Sequence, residues 1–542
     1  MLYKMQKICY TMVMNVTLLA INTKYVHSSL AVWILASAIA AHAQQTHAVA
    51  VLESNINQSC AEIVQRVIAQ HPDVLGISTY IWNARMLPEL IAQLRSDLPA
   101  LKIVLGGPEA ACHAQHWLNH GADHVLCGAG EQSFVSLLDS FANEELGDAN
   151  QPQEYVDPYT PAYFEALAGR IAYIETSRGC PFRCSYCLSG NSNLAFVPLD
   201  LAKEQITKLA QSGTRTIKFV DRTFNANAQR ACAVWAHVLN LNSDCCFHFE
   251  VAADLLDETS LALLLQAPPG RFQLEIGLQS YHTHTLAAVR RKTNLAQAEK
   301  NIRRLVSAGN IHVHVDLIAG LPHETLATFE AGFNRAYALG AHKLQLGFLK
   351  LLHGSELRNQ AQALGLVHAN EPPYEIIRSP WMSENDLAWL KTAENALQHT
   401  YNQNRFLRTL QYVLSVSQLS PLRLFHGMGC TAPHHATTLE DYATQLYAHF
   451  STLPNVQETM LRDHMLCDFL SMTKGKSMPA FLKQYGKKRK QLLHQASQAL
   501  GRNLCANEVA MLSDGRGVYV DSHRQNPVTM LYALEFAAAT PA

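Results

Sequence analysis

The 542-residue sequence is short of charge: only 16% of its residues are Asp, Glu, Lys or Arg, against the roughly 25% of an average globular protein. Its net charge is -1, from 43 basic and 44 acidic side chains, so no global field draws it to nucleic acid or anionic lipid. No apolar run reaches the 18 or so uninterrupted residues of a membrane span, which predicts no membrane partner. Internal repeats and low-complexity tracts are missing as well. The 13 cysteines are odd in number and form no regular framework, which argues against a secreted disulfide scaffold and for a reducing, cytoplasmic setting. What is present is an ordinary apolar fraction of 48% and enough length for about three domains.

Residues 1 to 13 precede the first strand-like run and read as a dispensable extension rather than a signal peptide, because no small-residue cleavage site follows. From residue 14 to about 145, strand runs (VTLLA, AVAVLE, VLGIS, KIVLGG, HVLCG) alternate with helical patterns and predict a doubly wound parallel sheet. Ligands sit at the carboxyl ends of such strands. The residues there are Asn22 and Thr23, Ser78 and Thr79, Gly106 and Gly107, and Gly130 and Glu131. Residues 146 to 169 lose periodicity and read as a linker.

Between 170 and 365 the alternation resumes. Six strand candidates (IAYIETS, TIKFV, CFHFEV, FQLEIGL, HVHVDLIAG, KLQLGFLKL) separated by helices predict a partial (β/α)6 TIM-like barrel with right-handed crossovers. Several of these strands are polar on one face: His248, Glu250 and Asp254; Gln273, Glu275 and Gln279; His312, His314 and Asp316. Their apolar faces must meet the helices, so the polar faces line the lumen, where they either satisfy one another or hold a polar ligand. From 366 to 542 the pattern is mostly helical, with a Ser383 N-cap before one long helix.

The strongest local signal is SRGCPFRCSYC, which places Cys180, Cys184 and Cys187 within eight residues just after the first barrel strand. Chance would give this spacing on the order of 0.007 times in such a chain. A closed zinc site wants a fourth ligand, and a redox pair needs only CxxC. Three thiolates on a tight loop suit a cubane iron-sulfur cluster with one iron left open.

This CxxxCxxC after the first strand of a βα barrel resembles the radical S-adenosylmethionine enzymes over about residues 170 to 355. The resemblance implies one 4Fe-4S cluster on Cys180, Cys184 and Cys187, and S-adenosylmethionine contacts at Tyr186, Asp221, Glu250, Asp254, Glu275 and Gln279. It further implies cleavage of the sulfonium to a 5′-deoxyadenosyl radical, with an electron from a donor such as flavodoxin or ferredoxin. The upstream sheet then resembles a cobalamin-binding domain, with the strand-end residues above as contacts. The loop INTKYVHSS departs from the usual Asp-x-His-x-x-Gly, and His27 is expected on the first helix, so cobalamin is expected without histidine ligation. NTKYVHSSLAVW and RSPWMSENDLAWLK are similar to a subgroup with an uncharacterised C-terminal domain. The implied activity is cobalamin-dependent methylation of an unactivated carbon. A cobalamin-associated radical cyclase or rearrangement enzyme is the alternative, and a redox-sensing nucleic-acid-binding iron-sulfur protein a further one. A methylthiotransferase is disfavoured, since Cys60, Cys112 and Cys127 lie far apart.

Two further patterns are weaker. HGMGCTAPHH spaces His426, Cys430 and His434 four apart, but its glycines and Pro433 argue for a loop rather than a metal-binding helix. The run Lys487 to Lys490 reads as a solvated helix face.

Overall fold

The computed structural model describes residues 13–143, 155–431, 438–475, 478–484 and 486–538. Residues 1–12 of the N-terminal extension, 146–154 of the expected linker, and His434 and His435 lie outside them.

The first domain is the expected parallel sheet. Its strands β1 (Asn15–Asn22), β2 (Ala48–Asn55), β3 (Val74–Ser78), β4 (Lys102–Gly106) and β5 (His124–Val125) lie in the order β2-β1-β3-β4-β5. The order reverses between β1 and β3, so the crevice beyond their carboxyl ends is the natural ligand position. Leu18, Leu19, Leu75, Ile103 and Leu105 are fully buried, as strands covered on both faces require.

The second sheet is built from β6 (Ala172–Ile174), β9 (Thr216–Phe219), β10 (Cys246–Val251), β11 (Phe272–Gln279), β12 (His312–Ala319) and β13 (Lys343–Phe348), in the order β13-β12-β11-β10-β9-β6. Strands consecutive in this series are neighbours in space, and β6 and β13 stand at the two edges, so the sheet is a partial barrel. Two short strands between β6 and β9, β7 (Ser177–Arg178) and β8 (Ala195–Phe196), pair antiparallel and pin the base of the cysteine loop. In β11, Phe272, Leu274, Ile276 and Leu278 are buried against the helices, while Gln273, Glu275, Gly277 and Gln279 face the lumen. Phe219, Phe224, Trp235, Phe249 and Phe272 pack between sheet and helices with ring centroids 4.4 to 6.2 Å apart. Each such buried ring contributes about 1.5–3 kcal/mol, and this outer layer holds the polar lumen open.

The structure corrects two sequence expectations and adds detail to a third. The segment expected as linker contains the helix Pro161–Leu167, capped by Thr160, and its Tyr163 packs edge-on against Trp33 at 5.6 Å. Apolar side chains two turns apart were too few to show a helical period there. The C-terminal region is helical but closes on an antiparallel sheet of β16 (Val509–Met511), β17 (Gly517–Gln525) and β18 (Tyr532–Ala537), preceded by the short pair β14 (Val367–His368) and β15 (Ile376–Arg378). The segment around His426 is a helix, Pro421–Thr431, not a loop. Its Gly429 is required by close packing: a Cβ there would meet the Thr392 carbonyl oxygen at 2.2 Å. His426 and Cys430 do share a face, with Sγ and Nε2 3.5 Å apart, and His426 stacks on Trp389. Ser383 caps the helix Glu384–His399 as expected, in a capping box with Asp386. Lys487, Lys488 and Lys490 are exposed at the start of the helix Lys487–Ala499.

Candidate functional site: a cysteine loop over a polar barrel cleft

Cys180, Cys184 and Cys187 are all free thiols on the loop between β7 and β8. Gly179 has φ +93°, and a Cβ there would meet the Asn193 carbonyl oxygen at 2.2 Å, so only glycine lets the chain enter the loop this way. The Cys187 amide donates to the Cys184 carbonyl at 3.1 Å, and the loop is tied to its neighbours through Ser185 to Val289 at 3.0 Å and Leu357 to Ser185 at 2.8 Å. Burial raises the Cys187 thiol, with the neighbouring Cys184 and Cys180 adding to the rise and Arg222 opposing it. Arg291 brings its guanidinium to 3.9 Å from Cys184 Sγ, and the Cys180 Sγ lies 3.5 Å from Thr223 Oγ1. Three unpaired thiols beside two cationic side chains fit an anionic, thiolate-bound iron-sulfur cluster.

The loop stands at the edge of an open cleft in the lumen, lined by Arg222, Thr223, Glu250, Glu275, Gln279, Arg291 and Asp316 among others. Glu250, Glu275 and Gln279, expected from strand alternation to face the lumen, line this cleft. Gln279 adopts a left-handed backbone (φ +69°) at a bulge in the β11–β12 pairing, folds its side chain across Gly277, and leaves Oε1 buried without a partner. An orphaned acceptor in a cleft calls for a donor from a ligand. Burial raises the Glu250 carboxyl to about 7 despite the opposing charge of Arg222. Burial also acts to raise Glu275, but the histidines at 248 and 314 outweigh it and hold the carboxyl well below its ordinary range. Tyr186 is placed beside Cys184 and Arg291, its phenol raised by burial and by Cys184.

Two of the expected contact residues are engaged elsewhere. Asp221, 1% exposed, accepts from the Thr176 amide (2.9 Å), the Thr176 hydroxyl (2.7 Å) and the Ser177 hydroxyl (2.6 Å). It clamps the start of the cysteine loop to the end of β9 instead of facing the cleft. Asp254 accepts from the Asn294 amide at 2.9 Å, ahead of the helix Leu295–Ala308, and does not line the cleft. Arg222, Thr223 and Arg291 were missed: Arg222 and Thr223 immediately follow Asp221 in sequence, whereas nothing local marks Arg291.

In the first domain, Thr79 is fully buried just beyond β3 and its hydroxyl has no partner. Gly107, at φ +106°, lies against it, since a Cβ there would be 2.6 Å from the Thr79 carbonyl oxygen, while nothing stands within 4 Å of the corresponding point on Gly106. A close-packed backbone with one buried unpaired hydroxyl fits the edge of a large polar cofactor such as cobalamin. Burial raises the phenol of Tyr80, next in sequence, and Arg222 and Arg178 of the barrel oppose the rise, so the end of β3 lies close to the barrel mouth. Ser78 and Thr23 are partly exposed at the same strand ends, and Gly130 begins the helix Gly130–Asn143 against Leu35. Asn22 and Glu131 are engaged elsewhere: Asn22 Nδ2 donates to Glu53 at 2.7 Å within the first domain, and Glu131 pairs with Arg178 of the barrel at 2.7 Å. His27 is not on the first helix, which begins at Leu30; it bridges to Ile171, and its Nδ1 lies 2.6 Å from the Tyr173 hydroxyl. That contact turns it to the barrel.

These features define a radical S-adenosylmethionine barrel joined to a cobalamin-type sheet, and comparison with known families agrees. Residues 16–138 match the B12 binding domain, residues 174–335 the radical SAM superfamily, and residues 362–512 the family described as "Protein of unknown function (DUF4080)". The chain thus carries a B12-binding domain, a radical SAM domain and a DUF4080 domain in that order, the domains of a 4Fe-4S cluster, S-adenosylmethionine and cobalamin. Among relatives, it is 22% identical over 330 residues to the 2-(S-pantetheinyl)-carbapenam-3-carboxylate methyltransferase of Streptantibioticus cattleyicolor, covering 50% of this chain and 46% of that one. It is 24% identical over 291 residues to the hopanoid C-3 methylase of Methylococcus capsulatus, covering 48% and 56%. The chain therefore spans about half the length of these relatives. In fold it resembles OxsB, a cobalamin-dependent S-adenosylmethionine radical enzyme, with a TM-score of 0.57 at 14% identity over 84% of this chain and 78% of that one. It also resembles the methyltransferase TsrM of Kitasatospora setae, with a TM-score of 0.53 at 16% identity over 66% and 77%.

Proposed function

We propose that the chain is an enzyme that reductively cleaves S-adenosylmethionine to a 5′-deoxyadenosyl radical and methylates an unactivated carbon of its substrate with the help of cobalamin. The observation that carries this reading is the juxtaposition of three free cysteines, a cleft with an orphaned Gln279 oxygen, and the Thr79–Gly107 crevice close to the barrel mouth. When bound, the cluster supplies the electron that breaks the sulfonium and cobalamin supplies a transferable methyl group.

The chain's own residues position and shield. Asp221 holds the entry to the cysteine loop through Thr176 and Ser177. Arg291 donates to the Gly277 carbonyl at 2.6 Å and places its positive charge by Cys184, where anionic thiolates need it. Glu250 and Gln279 offer acceptors to the polar groups of S-adenosylmethionine. The phenylalanine layer behind β9, β10 and β11 seals the helix-facing side of the sheet against water.

The electron comes from a small donor such as flavodoxin or ferredoxin, and the setting is the cytoplasm. Twelve free cysteines among the described residues support the reducing setting. Anaerobic reconstitution tests the cofactor set. About one cobalamin per chain alongside the cluster is expected; a stoichiometry near zero would sink the methyltransferase reading.

A further inference from the structure

Deep in the lumen is a donor set that the proposed radical chemistry does not use. Glu275 on β11 and His314 and Asp316 on β12 each place one ligating atom within 4.8 Å of the other two. Register builds the cluster: Glu275 pairs directly with His314 on the adjacent strand, and Asp316 is two residues further along the same face. His314 is 7% exposed. Its Nε2 and Asp316 Oδ1 lie 2.7 Å apart, an ion pair when the imidazole is protonated, and neither atom has another partner among the described residues. With a neutral imidazole two buried lone pairs face each other, which is costly, and a cation held between them would satisfy both. His248, 5% exposed, places Nε2 3.1 Å from Glu275 Oε2 and fixes that carboxylate from behind, as outer partners of metal ligands do. Glu275 and Asp316 also line the cleft, so open positions on an ion there would face the substrate space.

We propose that Glu275, His314 and Asp316 bind a divalent transition-metal cation of the Mn²⁺ or Zn²⁺ kind, separate from the cysteine loop and open to an oxygen donor of the substrate. One imidazole with two carboxylates suits borderline to hard divalent ions and offers no soft sulfur ligand. Three protein ligands with free positions is the pattern of an open site rather than a closed structural one. Binding requires His314 to be neutral at the ligating nitrogen, so uptake of the ion releases its proton to solvent. The rival arrangement is a His314 imidazolium shared between the two carboxylates with no ion.

The test is titration of Mn²⁺ into tag-free, full-length, cluster-loaded protein with the cluster oxidised and diamagnetic, following loss of the free six-line EPR signal. One Mn²⁺ per chain is expected, displaced by Zn²⁺, with affinity lowered at least about 10-fold in His314→Gln and in Asp316→Asn. No signal loss in the wild type, or equal binding in both variants at wild-type iron content, overturns the proposal. Pulsed EPR of the wild-type Mn²⁺ complex needs no variant: nitrogen coupling from a bound imidazole is expected, and its absence overturns the proposal even if the variants misfold. None of these readouts depends on cleavage of S-adenosylmethionine, so failure of that chemistry and failure of this site are told apart.

Discussion

Glu53, on β2 of the first domain, lies 2.7 Å from Arg170, at the entrance to the barrel, and both side chains are only 7% exposed. The same carboxylate accepts from Asn22 Nδ2, the Ser29 amide at 2.9 Å and Trp33 Nε1 at 3.0 Å, while Arg170 also donates to the carbonyls of Tyr25 and His27. A fully bonded buried pair of this kind fixes how the cobalamin-type sheet meets the barrel. Removing one partner leaves the other charge buried, which costs about 3–5 kcal/mol. Arg170→Met is therefore expected to lower the thermal transition markedly and to loosen the first domain, read by denaturation and by hydrogen exchange along β1 and β2. A transition unchanged from wild type would contradict this role.

The cluster assignment is specific to three thiols. Cys184→Ala should lose bound iron, the visible absorbance of an iron-sulfur centre and all turnover, whereas Cys232→Ala, outside the loop, should keep them. Iron retained at wild-type stoichiometry in Cys184→Ala would be incompatible with the site.

Glu250 carries a pH signature. Burial raises its carboxyl to about 7, so in the ligand-free protein it becomes ionised only as the pH passes that value. If its ionised form contacts the cationic part of S-adenosylmethionine, affinity should fall as the pH drops below about 7 in the wild type and stay flat in Glu250→Gln. The linked stability runs the other way: with the folded-state value above the unfolded one, ionisation between about 4.5 and 7 destabilises the fold, and Glu250→Gln should be relatively more stable above pH 7. Calorimetric binding and thermal melts across pH 5 to 8 check both.

The crevice of the first domain can be probed by two substitutions, one that keeps its packing and one that breaks it. Thr79→Val keeps the shape but removes the unpaired hydroxyl, and loss of one bond to cobalamin of about 0.5–1.5 kcal/mol should weaken binding several-fold. Gly107→Ala forces a side chain into a left-handed backbone and into the Thr79 carbonyl, and should abolish cobalamin retention. Cobalamin absorbance after gel filtration reads both; retention at wild-type level in both variants would place the cofactor elsewhere.

Much of this was legible in the chain itself. Alternation in FQLEIGL and HVHVDLIAG marked the lumen-facing residues, because a parallel strand that is polar at every second position must turn one face to the helices and the other to the lumen. The cysteine spacing marked the loop. What stayed hidden depends on contacts between segments distant in sequence. Asp221 looked available for a ligand, yet Thr176 and Ser177, more than 40 residues earlier, consume its oxygens. Arg291 has no local signature, although folding brings it to Cys184. Gly427 and Gly429 read as helix breakers, while the fold uses Gly429 to let two helices touch. The terminal three-stranded sheet was missed because its short runs follow a long helical stretch without the turn spacing of a larger β domain.

The most direct test is anaerobic turnover of the full chain, carrying its cluster and cobalamin, with S-adenosylmethionine and dithionite, quantifying 5′-deoxyadenosine and S-adenosylhomocysteine separately. Formation of both is expected, the first from radical cleavage and the second from methyl transfer. Neither product from protein with an intact cluster would contradict the assignment, and 5′-deoxyadenosine alone would leave radical chemistry standing but remove methylation.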